Sequence, residues 1–143
     1  MPSPMTYREA LAALALEIGV DPDAFAEREE LLVNDVALTF SAVQRTGTPA
    51  IQVACRIGSL SSQAPLSLLR LLLQANTLGA ATGGATLGLQ QATDDLVLSS
   101  THALETPAPA LARVCRVLVE AAALWTSALE RGLGQPGATA ALS

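Results

Sequence analysis

The segment from about Pro65 to Leu78 constrains the fold most, because it reads as a helix that is apolar on two faces. Leu66, Leu69 and Leu73 form one stripe, and Leu68, Leu72, Ala75 and Leu78 form a second. A surface helix of a small domain shows a single apolar stripe. In a chain of 143 residues, two stripes suggest that one packs on the protein's own sheet and the other on a second subunit. The stripe expected at that subunit interface is Leu68, Leu72, Ala75 and Leu78. A helix buried centrally within one protomer would give the same pattern, so that reading stays open.

The flanking segments supply the rest of the architecture. Thr6-Tyr7-Arg8-Glu9 is a capping box, and Leu11, Leu14, Ala15 and Ile18 follow at helical spacing up to Gly19. This predicts a first helix from about Tyr7 to Ile18, with Asp21-Pro22 opening a loop. Leu31 to Val33, Asn34-Asp35 and Val36 to Val43 predict a hairpin, since Asn and Asp tolerate the left-handed conformations of a tight turn. After Thr46-Gly47-Thr48-Pro49, the apolar residues Ile51, Val53, Cys55 and Ile57 alternate with Gln52, Ala54 and Arg56 as a third strand. Ser61-Ser62 can cap the two-striped helix, and Gly79 with Thr82-Gly83-Gly84 ends it. Ala85, Leu87 and Leu89 predict a fourth strand, and Asp94-Asp95 turns into a fifth, Leu96 to Thr101. Pro107 and Pro109 lead into a last helix, about Ala110 to Arg131, with a core stripe of Leu111, Val114, Cys115, Leu118, Ala121, Ala122, Trp125 and Leu129. The order α-β-β-β-α-β-β-α predicts an α+β domain with a mostly antiparallel five-stranded sheet and three helices. The expected organisation is one domain over residues 1–131 and a disordered Gly/Ala-rich tail over 132–143.

The chemistry-bearing residues are few. All eight basic residues are Arg and the net charge is −5, which disfavours nucleic acid as a partner. Without Lys there is neither Schiff-base chemistry nor a P-loop lysine. Gly79, Gly83, Gly84 and Gly88 follow a helix and precede a strand, the reverse of a phosphate cradle, and read as a tight turn. His102 is the sole histidine and Cys55 and Cys115 are scattered, too little for a zinc site. Both cysteines fall on core stripes, so buried thiols are expected and catalytic ones are not. Glu27, Glu29 and Glu30 read as a solvated charge run, Asp94-Asp95 as a turn, and Trp125 as a core anchor. No metal, cofactor or catalytic residue is expected. The first apolar stretch lacks a basic leader and is interrupted by Glu9 and Glu17, and the longest apolar run carries Arg70. No targeting or membrane segment is expected, which reads as a cytoplasmic protein.

Leu71-Leu72-Leu73-Gln74-Ala75-Asn76-Thr77-Leu78-Gly79, followed by Thr82-Gly83-Gly84-Ala85-Thr86-Leu87-Gly88-Leu89, closely resembles the core signature of the Tir-chaperone (CesT) family. That signature is a Leu-rich helix ending in Leu-x-x-Asn, a Gly-containing turn and a short strand. The resemblance extends by element order and acidic pI over about residues 5 to 131. It implies an α+β homodimer with the second helix and fourth strand at the interface, adding Leu87 to Leu68, Leu72, Ala75 and Leu78. It also implies a chaperone for type III secretion, without catalytic activity. Its partners would be the N-terminal segment of a secreted effector, kept non-globular, and the secretion ATPase that receives the complex.

Capture of such a segment would use a strand edge and apolar pockets. Leu31, Leu32 and Val33, the short first strand, are the expected effector-binding residues; alternation directs one of them outward. A same-fold regulatory module outside effector delivery is the alternative, and a small apolar-ligand carrier a further one.

Overall fold

The first helix, α1 (Tyr7–Ile18), is closed at both ends as its sequence predicts. The Thr6 hydroxyl accepts from the Glu9 N–H at 3.1 Å and the Glu9 carboxylate accepts from the Thr6 N–H at 3.2 Å. Gly19 ends the helix at φ 81°, a left-handed conformation that costs glycine nothing. The structure, a computed structural model, describes residues 5–60, 64–78 and 84–130.

A further helix, α2 (Pro22–Arg28), occupies the expected loop. Asp21 caps it by accepting from the Ala24 N–H at 3.3 Å, and Pro22 opens it. Asp followed by Pro is a helix start as much as a turn, because proline's missing N–H has no intrahelical partner to lose in the first turn. The helices therefore number four among the described residues, against the three expected.

The strands are β1 (Glu30–Val33), β2 (Val36–Arg45), β3 (Thr48–Ser59), β4 (Thr86–Gln90) and β5 (Asp95–Ala103). Helix α3 (Leu66–Leu78) lies between β3 and β4, and α4 (Ala108–Glu130) follows β5. All strand pairs are antiparallel, in the order β1-β2-β3-β5-β4. Asn34 and Asp35 both take positive φ, as do Thr46 and Gly47, so both hairpins close in two residues.

Register makes the sheet two-faced. Leu31, Leu38, Cys55, Leu98 and Leu87 form one continuous row across all five strands. The next row, Glu30, Thr39, Ala54, Ser99 and Thr86, points to the opposite face. Against the apolar face pack Leu11 and Leu14 of α1 and Leu111, Cys115, Leu118, Ala122 and Trp125 of α4, all buried. At the β3 bulge the register shifts between Arg56 and Gly58. There the Thr126 hydroxyl of α4 donates to the Ile57 carbonyl at 3.2 Å, satisfying a group that the irregular ladder would leave open.

Glu29, expected in a solvated acidic run, is instead structural. It caps α2 at φ 54° and accepts a 2.5 Å hydrogen bond from the Tyr7 hydroxyl. Burial, reinforced by the Glu29 carboxylate, raises the Tyr7 pKa well above the ordinary tyrosine value. The folded protein thus keeps a proton that the unfolded chain releases near pH 10. Stability from this pair is complete below about pH 10 and falls as the pH rises above it. Tyr7→Phe should cost about 1 kcal/mol at neutral pH, the pair being only partly buried, and should flatten the alkaline fall. Urea unfolding at a series of pH values checks this. Ultraviolet titration of the sole tyrosine should show ionisation delayed until unfolding.

Candidate partner-binding site

Helix α3 decides which apolar surface remains for a partner. Its residues Leu68, Leu72 and Ala75 are buried within the protomer, and Leu87 of β4 is buried with them. The exposed stripe is the other one, with Leu66 at 69% and Leu73 at 67% exposure. The set expected at a subunit interface therefore lines the protomer's own core, and the stripe expected on the sheet is the exposed one. Leu78 is the last residue of α3, and its side chain lies outside the described residues.

The rotation of α3 has a specific cause. Asn76 points at β4, where its carboxamide Nδ2 donates to the Leu87 carbonyl at 2.9 Å and its Oδ1 accepts from the Leu87 N–H at 2.6 Å. Leu72 lies one turn before Asn76 on the same flank, so anchoring the amide turns Leu72 inward. Leu66, Leu69 and Leu73 are left facing solvent. Between α3 and β4 runs a groove of about 300 Å³ lined by Leu60, Leu69, Leu72, Leu73, Leu89 and Leu96. Leu89, 53% exposed, extends its apolar rim.

The second surface is the opposite sheet edge. In β1, Leu31 and Val33 are half-buried against the core, whereas Leu32 is 66% exposed. Leu32 is thus the outward residue of the expected effector-binding trio. The Glu29 carbonyl accepts from the Phe40 N–H at 2.9 Å, which fixes the alternation of the hairpin. Leu31 and Val33 turn their backbone groups to β2, and Glu30 and Leu32 turn theirs outward.

Among the described residues the titratable groups do not assemble into a nucleophile or a metal-binding cluster. Cys55 and Cys115 are buried and unbonded to each other. Burial raises both thiols, Cys115 to about 11, so the reactive thiolate is scarce at neutral pH. His102 pairs with Ser100, Nε2 to Oγ at 2.8 Å. Burial and then the nearby Arg45 lower its pKa, which favours a neutral ring. Beside it lies a polar cleft of about 690 Å³ that includes Arg45, Gln52, Thr86 and Thr101. Among the described residues, no three of His, Cys, Asp and Glu converge as a metal site, and no helix is long and apolar enough to cross a membrane. Gly79 and Gly83 lie outside the described residues; Gly84 has φ +85°, as a glycine in a tight turn can.

An apolar groove on one flank of the sheet and an open strand edge on the other are features of a protein that receives another polypeptide. The chain belongs to the Tir chaperone protein (CesT) family, whose profile matches residues 9–126. No curated protein matches it in sequence. Its fold is similar to a chain of the HopA1–SchA chaperone–effector complex, with 18% identity, 85% of this chain and 93% of that one covered, and a TM-score of 0.65. A chain of the ExsC–ExsE complex matches at 16% identity over 84% and 90%, with a TM-score of 0.60. A chain of the heterodimeric ExoU–SpcU complex from the type III secretion system of Pseudomonas aeruginosa matches at 20% identity over 92% and 99%, with a TM-score of 0.61.

Proposed function

We propose that this protein is a cytoplasmic type III secretion chaperone that binds the N-terminal segment of a secreted effector and catalyses no reaction. The observation that carries this reading is the family match over residues 9–126. The similar folds belong to complexes described as chaperone–effector or type III secretion assemblies. The effector segment is held extended, with one stretch added to β1 and apolar side chains seated beside the exposed Leu32. Two copies of the chaperone associate through Leu66, Leu69, Leu73 and Leu89, the surface that α3 and β4 leave uncovered. A dimer doubles the area on which a disordered segment can order, and such ordering needs a large buried surface to offset its entropy. The secretion ATPase then receives the loaded complex.

The test is titration calorimetry with the first hundred or so residues of an effector recovered by copurification from the native host, a generous length for an extended chain to wrap around the protomer. Binding without nucleotide, with a negative heat-capacity change and little loss in moderate salt, is expected, because apolar burial outlasts charge screening. Binding confined to the effector's folded C-terminal domain would overturn the proposal.

A further inference from the structure

The sheet has two edges, and the structure treats them differently. In an antiparallel ladder the backbone groups of successive residues alternate between the partner strand and the outside. Because Asn76 takes both groups of Leu87, Leu87 faces away from β5, and Thr86 and Gly88 face it. A carboxamide offers one carbonyl and N–H donors on a planar group, as a peptide does. At Leu87, Asn76 therefore makes the two bonds that a neighbouring strand would make. Farther along the same side, β5 runs on past the start of β4, and the outward-facing Thr101 carbonyl accepts from Arg45 Nη1 at 3.3 Å. Leu89, the other outward residue of β4, and Glu30 and Leu32, the outward residues of β1, have no backbone hydrogen bond on that side among the described residues, so the block on β4 stands at Leu87 alone while β1 carries none.

We infer that Asn76 is an edge guard, the residue that interrupts the β4 edge at Leu87 against strand addition and leaves β1 as the unblocked edge on which an incoming segment can pair. The choice of β1 rests on the chaperone reading; the interruption of β4 does not. An open edge is a template for pairing with any extended chain, another copy of the same protein included. The guard matters most where it stands, since the exposed leucines of α3 and Leu89 draw apolar surface to that flank. With Leu87 occupied, another chain can pack there through side chains but finds no continuous ladder of backbone groups to pair with. Alanine would leave both Leu87 groups open. Aspartate would keep the acceptor for the Leu87 N–H and lose the donor to its carbonyl.

The experiment compares Asn76→Ala and Asn76→Asp with wild type and with Thr126→Val. The last variant loses a side-chain hydrogen bond to the backbone at a site covered by α4, and so controls for general destabilisation. No cargo protein is involved, so this test and that of the chaperone reading fail independently. In Asn76→Ala the Leu87 amide should exchange roughly tenfold faster or more, and sedimentation should show species larger than the wild-type assembly as concentration rises. Asn76→Asp should keep the Leu87 amide slow and still form larger species through the freed carbonyl, and it decides the matter if the alanine variant does not fold. Thr126→Val should sediment as wild type. Wild-type sedimentation by the folded Asn76 variants, or equal association by Thr126→Val, would overturn the guard role.

Discussion

Leu72→Asp should abolish folding, while Leu73→Asp, one residue along, should fold normally and sediment at half the mass of the proposed wild-type dimer. The two leucines are chemically identical and adjacent, but Leu72 is 7% exposed and Leu73 67%. An aspartate at position 72 would face the apolar core. Burying an unpaired carboxylate, or protonating it to avoid that, costs several kcal/mol beyond the lost leucine packing. That is comparable to the whole stability of a small domain, about 5–15 kcal/mol. At position 73 the side chain stays in water in the isolated protomer, so the fold loses little. In a two-fold dimer the same substitution enters the interface twice, placing like charges in an apolar contact. Circular dichroism separates the folding outcomes and sedimentation equilibrium the assembly outcomes. A Leu73→Asp protein that remains dimeric would place the interface elsewhere on the surface, and a monomeric wild type would remove the dimer altogether.

The reversal of the two α3 stripes marks where sequence reading reaches its limit. Periodicity reports that both faces are apolar and is silent on which one meets the sheet, since Leu68, Leu72 and Ala75 are no more hydrophobic as a set than Leu66, Leu69 and Leu73. The deciding signal was a polar residue. Asn76 in an otherwise apolar stretch needs a hydrogen-bonding partner if it is to be buried at all, and the strand that follows supplies one in Leu87. The capping box at Thr6 and Glu9, the Asn34-Asp35 turn and the alternation in β2 and β3 were legible because each is a local pattern. Helix α2 was missed because Asp21-Pro22 suits a turn and a helix start equally. Glu29 was missed because its partner, Tyr7, lies 22 residues away. The outward member of the β1 trio needed the register, which no four-residue strand discloses by itself.

That register yields a second large effect. Leu32→Pro should weaken effector binding at least about tenfold while leaving the protomer folded. The Leu32 N–H faces away from β2, so proline there removes no bond of the hairpin, and an edge position tolerates its fixed φ. What is lost is one donor to an added strand together with the exposed leucine side chain. Leu31→Pro is the internal comparison. The Leu31 N–H faces Leu38 in the ladder, so that change should instead destabilise the protomer by about 1–3 kcal/mol. Leu32→Arg keeps the backbone donor and removes only the apolar side chain. If strand addition dominates capture, Leu32→Arg should bind more tightly than Leu32→Pro; if the side-chain pocket dominates, the two should be equally weak. Calorimetry with the effector's N-terminal segment and urea unfolding of each variant distinguish these outcomes. Wild-type affinity in Leu32→Pro would mean that β1 is not the edge on which the segment pairs.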